Sequence, residues 1–342
     1  SMKMSEGYMA RFIGVIAFLL LLCSCSQAPV ETHLTGHTMG TTYNVKFVNT
    51  GKVDEQQLHD NIDAALVRVN ELMSTYDPDS ELSRFNQWNS EASFPLSPET
   101  LMVMREAKRL GELSHGVLDV TVGPLVNLWG FGPDAKPDKR PSDQVVAQVK
   151  ARTGLDKLHL LDNAAKKTES DLYVDLSTIA KGYGVDVVAD LLEEYGLHDY
   201  LVEIGGEMRV AGHKAGGREW RIAVEKPVSM ERAIQDIISI GTNAVATSGD
   251  YRNYFEEDGV RYSHLIDPRT GAPITHNLVA VTVVHPSSMT ADGLATALII
   301  MGKDEALNVA LHNDLAVLMI TRENGEFKEY TTPKFEPFIN RE

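Results

Sequence analysis

The stretch from Tyr173 to Tyr183, YVDLSTIAKGY, combines the features on which the interpretation of this chain depends. Its apolar residues predict a short strand over 172–176, which runs into Asp175 and Ser177. The apolar spacing that follows predicts a helix over 178–195. A strand that meets a helix through polar residues places those residues at the helix N-terminus, where chemistry is possible.

Two interpretations of this helix start are open. Asp and Ser are preferred N-cap residues, so Asp175 and Ser177 can serve only to cap the helix. Alternatively, the free N–H groups and the positive dipole end of the helix bind a phosphate. In that case Asp175 would accept hydrogen bonds from an adenine or ribose edge, and Lys181, one turn further on, would reach a diphosphate.

Outside this stretch, apolar spacing predicts a mixture of helices and strands. The predicted helices are 53–74, 97–113 with Ser97 as N-cap, 141–152, 290–301 and 304–312. The predicted strands are 38–48, 157–161, 200–204, 220–224, 234–240, 244–247, 278–284 and 315–320. This order is typical of a mixed α+β fold and not of strict βαβ alternation, and it is compatible with two lobes that share one cleft.

Several motifs that define common nucleotide sites and hydrolases are absent. The chain has no GxxxxGK[ST] P-loop, no HExxH, no GxSxG and no complete GxGxxG. The sequence from Trp129 to Pro133, WGFGP, is a glycine-rich turn that does not complete a dinucleotide fingerprint. A dinucleotide site in this chain is therefore not predicted to be a Rossmann site.

Composition and charge exclude further classes. The 342 residues are 43% hydrophobic and 23% charged, which is ordinary for a globular protein. A formal net charge of −16 would repel a phosphate backbone, so nucleic acid is not an expected partner. The two cysteines, Cys23 and Cys25, lie near the N-terminus, and the folded part is therefore predicted to have no disulfide framework, cysteine zinc site or catalytic thiol.

The N-terminal residues are typical of a targeting segment. Lys3 and Arg11 are followed by an apolar run over 12–22, which is short for a membrane span. The run ends in LCSC, residues 22–25, which resembles a bacterial lipoprotein box. That resemblance implies a signal peptide over 1–24, cleavage before Cys25 with lipid on its thiol, a tether to residue 33 and one domain over 34–342. A plain signal peptide or an uncleaved anchor is the alternative.

The segment from Met289 to Thr296, MTADGLAT, is the candidate metal site. Asp292 and Thr296 are four residues apart and share one face of the predicted helix. A carboxylate and a hydroxyl suit a hard cation such as Mg²⁺, which completes its coordination with phosphate oxygens, carbonyls and waters. The alternative is that Thr290 caps the helix and Asp292 only favours its dipole.

Three further segments carry chemically useful side chains. In SHLIDPRTG, residues 263–271, a turn signal follows His264, which could act as a general base or belong to an ordinary hairpin. In TSGDYRNY, residues 247–254, Arg252 could pair with a phosphate or with Asp250. In MSTYD, residues 73–77, Tyr76 could stack on a flat ring or lie in the core.

Together these segments resemble the ApbE family of FAD:protein FMN transferases. The resemblance runs from about Gly36 to the C-terminus. The segments that carry it are TMGTTY (38–43), MSTYDPDSELSRFN (73–86), HGVLDVTVGPLVNLWGFGP (115–133), YVDLSTIAKGYGVD (173–186), VEIGGEMRVAG (202–212), ATSGDYRNY (246–254), SHLIDPRTGAP (263–273) and ADGLATAL (291–298). The resemblance is to the Gram-negative lipoprotein members, which agrees with the interpretation of Cys25, and it implies a mixed two-lobed, T-fold-like α+β architecture with an FAD cleft.

The resemblance implies a role for each of several residues. His264 corresponds to the histidine that activates the acceptor hydroxyl. The FAD-binding residues it implies are Met39, Tyr76, Val117, Leu118, Asp119, Asp175, Lys181 and Ile266. The Mg²⁺ ligands it implies are Asp292, Thr296, the carbonyl of Thr178 and that of Ala295. Ala295 stands where some members have an aspartate.

The implied reaction is Mg²⁺-dependent transfer of the FMN half of FAD to a threonine or serine of another protein, with release of AMP. The implied acceptors are subunits of the sodium-translocating NADH:quinone reductase and of Rnf-type complexes. The implied location is the periplasmic face of a bacterial membrane, inner or outer, through the lipid on Cys25. Two alternatives are an Mg²⁺-dependent FAD pyrophosphatase that yields FMN and AMP, and a non-catalytic FAD-binding lipoprotein.

Overall fold

The computed structural model describes residues 29–131, 140–229, 232–249, 254–257 and 260–340. The predicted targeting segment with Cys25, the residues Gly132 and Pro133, and the predicted partners Asp250 and Arg252 lie outside these ranges. Within the described ranges, none of the helices combines the length and apolar character that a bilayer crossing requires.

The described helices and strands alternate irregularly along the chain. The helices are α1 (Glu55–Met73), α2 (Glu81–Gln87), α3 (Pro98–Leu113), α4 (Gly123–Leu128), α5 (Asp143–Lys150), α6 (Ser177–Glu194), α7 (Ser288–Met301) and α8 (Lys303–His312). The strands up to the middle of the chain are β1 (Val30–Thr38), β2 (Thr41–Asn49), β3 (Phe94–Pro95), β4 (Leu158–Leu160), β5 (Ala164–Lys167), β6 (Tyr200–Ile204) and β7 (Glu207–Ala211). The later strands are β8 (Ile222–Ser229), β9 (Arg232–Ile238), β10 (Asn243–Gly249), β11 (Tyr254–Glu257), β12 (Val260–Ser263), β13 (Ile266–Asp267), β14 (Ala272–Pro273), β15 (Leu278–His285), β16 (Ala316–Glu323) and β17 (Glu326–Thr331).

One large sheet organises the fold. Eight strands follow the order β1-β2-β6-β7-β10-β15-β16-β17, and all neighbouring pairs in it are antiparallel. A Rossmann fold requires parallel strands joined by crossover helices, and this sheet has none among its described pairs. The predictions of an α+β class and of an architecture other than a Rossmann fold are therefore confirmed.

The sheet is covered on both faces. Helices α1, α3, α6 and α7 bury the apolar residues of one face in two hydrophobic clusters. On the other face Trp220, Ile222 and Phe335 pack against Val210 and Val284 of the sheet. Because strand β15 is covered from both sides, its residues from Leu278 to Val284 are all buried, and the strand reads as a continuous apolar run.

Most predicted elements are confirmed to within a few residues, but several predictions were wrong. The predicted strand over 38–48 is interrupted near its start, because β1 ends at Thr38 and β2 begins at Thr41. Residues 172–176 are not a strand: the side chain of Asn86 accepts from the Val174 N–H at 2.9 Å and donates to its carbonyl at 2.8 Å. A side-chain amide thus replaces the ladder that a strand would need. Helix α7 is capped by Ser287, whose hydroxyl accepts from the Thr290 N–H at 3.2 Å, and not by Thr290.

Candidate active site

The turn between β1 and β2 consists of Met39 and Gly40. Both have positive φ angles, 50° and 70°, as a two-residue type I′ hairpin requires. A methionine in this region is uncommon, and such residues occur most often where function depends on them. The Met39 side chain packs against Gly184, where a Cβ atom would lie 2.8 Å from Met39 Cε.

The start of α6 is open to ligands. Its N-cap is Leu176, which provides no side-chain hydrogen bond, and the carboxylate of Asp175 accepts from the Ser177 N–H at 2.9 Å. Ser177 is the first residue of the helix, so the alternative in which Ser177 serves as the N-cap is wrong. The exposed residues Ser177 and Thr178 therefore form a helix N-terminus whose other first-turn N–H groups lack a side-chain cap.

Helices α6 and α7 approach each other closely at a glycine. The Gly182 N–H donates to Asp292 Oδ2 at 3.0 Å, and a Cβ on Gly182 would lie 2.4 Å from the Ser288 carbonyl oxygen. Gly293 makes a second close approach, since a Cβ there would lie 3.0 Å from Ile179. Because Gly182 and Gly293 have no side chains, α6 and α7 can pack closely. Both helices carry predicted metal ligands.

The carboxylate of Asp186 joins α6 to the N-terminus of α7. It accepts hydrogen bonds from the Ser288 and Met289 N–H groups at 2.9 and 3.0 Å and from the Ser287 hydroxyl at 2.8 Å. Arg209 on β7 donates to the same carboxylate at 3.1 Å. A negative charge at this helix end also complements the helix dipole. Asp186 therefore fixes α7 relative to both α6 and the sheet.

Two adjoining cavities lie beside these helix ends. The first has a volume of about 590 Å³, the second of about 790 Å³, and both are lined by Tyr76 and Ser177. Each volume is in the range of small-molecule sites. The predicted cofactor residues that line the first cavity are Tyr76, Val117, Leu118, Asp119, Asp175 and Ile266. Those that line the second are Met39, Tyr76 and Lys181.

The predicted metal residues lie where the two helices meet. Thr178 and Thr296 line the first cavity, while Asp292 and Ala295 are buried and line neither of the two cavities. The Thr296 hydroxyl donates to the Asp292 carbonyl at 3.2 Å. Burial raises the pKa of Asp292, because charge is disfavoured away from water. We refer to Thr178, Lys181, Gly182, Asp292 and Thr296 as the floor of the site.

The candidate metal ligands in the floor, from Thr178, Asp292 and Thr296, are oxygen atoms, which suit a hard divalent cation. In the described part of the chain, no cluster of three or more His, Cys, Asp or Glu side chains has the geometry of a metal site. A cation here would depend instead on one carboxylate, a hydroxyl and a carbonyl, completed by phosphate oxygens and waters. The mixed donor set therefore fits Mg²⁺ better than a softer metal that prefers imidazole or thiolate ligands.

Glu207, the first residue of β7, is not among the site residues predicted from the sequence. Its side chain is buried, and its Oε2 atom has no hydrogen-bond partner among the described residues. Burial, and then the negative charge of Asp292, raise the pKa of Glu207. The sequence signal that could have found it is the glycine pair Gly205–Gly206, which turns the chain directly before it.

His264 is exposed and lines neither cavity itself, but its ring lies beside that of Phe131, which lines the first cavity. The two ring centroids are 4.4 Å apart and the rings are tilted by 32°. Partial burial lowers the pKa of His264 from its ordinary value, so the neutral imidazole, which can accept a proton, is favoured at neutral pH. We refer to Tyr76, Phe131 and His264 as the rim of the site.

The surroundings of two residues predicted to bind FAD, Tyr76 and Asp119, could not be told from their motifs. Tyr76 is 89% exposed, so the alternative that it is a core tyrosine was wrong. Asp119 is held by Thr121, whose N–H and hydroxyl donate to its Oδ1 at 2.8 and 2.6 Å, and burial raises its pKa. Phe131, Tyr173 and Ser177 also line the first cavity, although the sequence assigned them no cofactor role.

Comparison with known proteins identifies the family. A profile of the ApbE family matches residues 39–319. A FAD:protein FMN transferase of Vibrio cholerae is 53% identical over 97% of this chain and all of that protein, and one of Haemophilus influenzae is 47% identical over 95% of this chain and 96% of that protein.

Two solved structures have the same fold. The flavin transferase ApbE from Vibrio cholerae superposes with a TM-score of 0.85 at 53% identity, over 91% of this chain and 100% of that one. The apo form of the flavinyl transferase ApbE from Pseudomonas stutzeri gives a TM-score of 0.85 at 39% identity, over 92% of this chain and 98% of that one. A profile match over most of the chain, close relatives and this shared architecture lead to one conclusion: the chain belongs to the ApbE family.

Proposed function

We propose that this protein is an FAD:protein FMN transferase, which cleaves FAD and attaches its FMN half to a threonine or serine of an acceptor protein. The observation that carries the proposal is that residues matching the FAD-binding positions of the family line two adjoining cavities at an uncapped helix N-terminus. The relatives named FAD:protein FMN transferase support it.

The dinucleotide would occupy both cavities. The N-terminus of α6 supplies its positive dipole end and the N–H of the exposed Thr178 to the diphosphate, since the Ile179 and Ala180 N–H groups already donate to the Leu176 carbonyl. Lys181 adds a positive charge one turn further along. Tyr76, which lines both cavities and is exposed, offers a face on which a flat ring can stack. These residues bind and orient FAD.

The residues that would hold Mg²⁺ are Asp292 and Thr296, with the carbonyls of Thr178 and Ala295 nearby. When bound, the cation neutralises charge on the diphosphate as the bond to AMP breaks. The contribution of the chain is to hold these oxygen donors in place through the Gly182–Asp292 hydrogen bond of 3.0 Å and the anchoring of α7 by Asp186.

His264 acts as the general base. It removes the proton from the acceptor hydroxyl, whose oxygen forms a bond to the FMN phosphorus while the bond from that phosphorus to the bridging oxygen breaks. AMP leaves with the bridging oxygen, and the product is an FMN phosphoester on the acceptor. The lowered pKa of His264 suits this role, because a base must be unprotonated before it accepts a proton.

Location and partners extend the same proposal. The lipoprotein box that ends in Cys25 supports a lipid anchor on the periplasmic face of a bacterial membrane. The acceptors would then be periplasmic flavoprotein subunits, such as those of the sodium-translocating NADH:quinone reductase and Rnf-type complexes.

The test is incubation of the protein with FAD, Mg²⁺ and a purified acceptor subunit, followed by in-gel flavin fluorescence. We expect a fluorescent acceptor band that depends on Mg²⁺ and is lost with Asp292→Ala. AMP release at the full rate without any acceptor would instead identify an FAD pyrophosphatase. Tight FAD binding without turnover under any divalent cation would identify a flavin-binding lipoprotein.

A further inference from the structure

Glu207 is a buried carboxylate that the proposed mechanism does not use. Its side chain is 8% exposed, and its Oε2 atom has no hydrogen-bond partner among the described residues. An unpaired buried carboxylate oxygen is costly, and native proteins rarely keep one without a reason. The surroundings of Glu207 indicate what that reason is.

The register of the β6–β7 hairpin directs Glu207 towards the floor. Glu207 lies opposite Ile204, and directly paired residues of two antiparallel strands point to the same face. Ile204 is buried in the cluster formed with α1 and α6, so this face is the one that the helices cover. Glu207 therefore points towards α6 and α7, and Asp292 is close enough to repel its charge.

Among the described residues, the cation whose charge acts on both carboxylates is Lys181 of the floor. The Lys181 ammonium lies over the hairpin turn, since a Cβ on Gly205 would be 3.1 Å from its nitrogen. Its charge acts on both Asp292 and Glu207. Burial raises the pKa of both carboxylates, and one ammonium cannot neutralise the pair when both are ionised. A bound cation would supply the missing positive charge.

We propose that Glu207 is a further oxygen ligand, directly or through a water, of the divalent cation that Asp292 and Thr296 bind. This inference rests on the proposed function, because it assumes that the floor holds a cation. Coordination would give the unpartnered Oε2 atom of Glu207 a partner, and it would add a second carboxylate to the oxygen ligands of the cation.

The same hairpin offers a matched control. Glu203 lies four residues before Glu207, and its Oε2 atom also lacks a partner among the described residues. Glu203 pairs with Met208, so it points to the sheet face opposite to that of Glu207. The two glutamates therefore share a hairpin and an unsatisfied oxygen, and they differ in whether they face Asp292.

The experiment measures Mn²⁺ binding through the loss of the free-ion electron paramagnetic resonance signal, without and with FAD. We expect Glu207→Gln to weaken Mn²⁺ binding by roughly tenfold or more, as loss of a supporting group at a metal site does. Glu203→Gln should bind Mn²⁺ as the wild type does. Glu207→Asp, which keeps the charge but shortens the side chain, should fall between the wild type and Glu207→Gln.

Thermal unfolding separates a ligand from a structural residue. The melting temperature of Glu207→Gln without metal should not fall, while its increase on addition of Mn²⁺ should be smaller than that of the wild type. Wild-type Mn²⁺ affinity in both Glu207→Gln and Glu207→Asp, alongside weak binding in Asp292→Asn, would overturn the inference and leave the proposed function intact. Wild-type affinity in Asp292→Asn would overturn both, since the cation would then bind elsewhere.

Discussion

The floor and the rim of the candidate site are built in opposite ways. Asp292 in the floor is 8% exposed and held between two helices, whereas Tyr76 on the rim is 89% exposed. The floor depends on close backbone contact at Gly182, whereas the rim combines the exposed side chains of Tyr76 and His264 with the half-buried ring of Phe131.

Because of this difference, we expect substitutions in the floor to change both stability and activity, and substitutions on the rim to change mainly activity. A floor residue is part of the packing of α6 and α7, so a change there alters both the fold and the ligands that the fold positions. The exposed rim residues Tyr76 and His264 can be replaced with little effect on folding, because their side chains make few packing contacts. The following predictions test whether the two regions can be separated in this way.

The largest expected effect is that of His264→Ala on the rate of flavin transfer. Loss of a general base costs roughly 10³-fold, which corresponds to about 4 kcal/mol in the barrier. The melting temperature should stay unchanged because His264 is exposed. Transfer kinetics and thermal unfolding measure the two, and His159→Ala, an exposed histidine on β4, is the control. A large loss of stability would show that the rim is structural.

Gly182→Ala should have the largest effect on stability. A Cβ at this position would lie 2.4 Å from the Ser288 carbonyl and 2.9 Å from Asp292 Cβ, so the helices must move apart. We expect a loss of about 3 kcal/mol in the free energy of unfolding, measured by urea denaturation. Gly184→Ala is the control, because there the one close approach is to the flexible end of Met39, at 2.8 Å, while Ile204 and Leu66 lie at ordinary contact distance. Equal losses in both variants would argue against the close contact as the cause.

Asp186→Ala should destabilise the protein by about 2 kcal/mol, because α7 loses its anchoring carboxylate and Arg209 loses a partner. Chemical denaturation gives the value. Asp190→Ala is the matched control: this carboxylate lies on the same helix and pairs with Arg209 at 3.2 Å, but it is 64% exposed. Its loss should cost less than about 1 kcal/mol.

Tyr76→Ala should weaken FAD binding by about tenfold, a typical loss for one aromatic stacking platform. Tyr76→Phe keeps the ring and should bind FAD as the wild type does. Fluorescence titration of FAD measures the affinity, and thermal unfolding should show no change for either variant because the side chain is exposed. Unchanged FAD affinity in Tyr76→Ala would remove Tyr76 from the binding site.

The smallest expected effect is a shift in the pH dependence of transfer. Burial lowers the pKa of His264 below its ordinary 6.5, so the neutral base persists to lower pH and the acidic limb of the rate profile should lie below 6.5. Phe131→Ala uncovers the imidazole, which raises its pKa towards 6.5 and moves that limb to higher pH. A limb that does not move would show that Phe131 does not shield His264.

Local patterns predicted most of the elements because they depend on interactions between near neighbours. The helix over Pro98–Leu113 with Ser97 as its cap and the strand Tyr200–Ile204 follow from apolar spacing and capping chemistry, and both are confirmed. The predicted strand over 172–176 was wrong because the side chain of Asn86, distant in sequence, satisfies its backbone. No local pattern reports such a partner.

The sequence by itself determined the α+β class and the family, and it predicted the residues of the candidate site, because ordered motifs and their spacing are properties of the chain. Only the tertiary structure decided which of these residues are buried together. Glu207 joins Asp292 and Lys181 because the hairpin register turns it towards α6 and α7. Contacts between segments far apart in the chain, and the desolvation they cause, arise only when the sheet and helices pack.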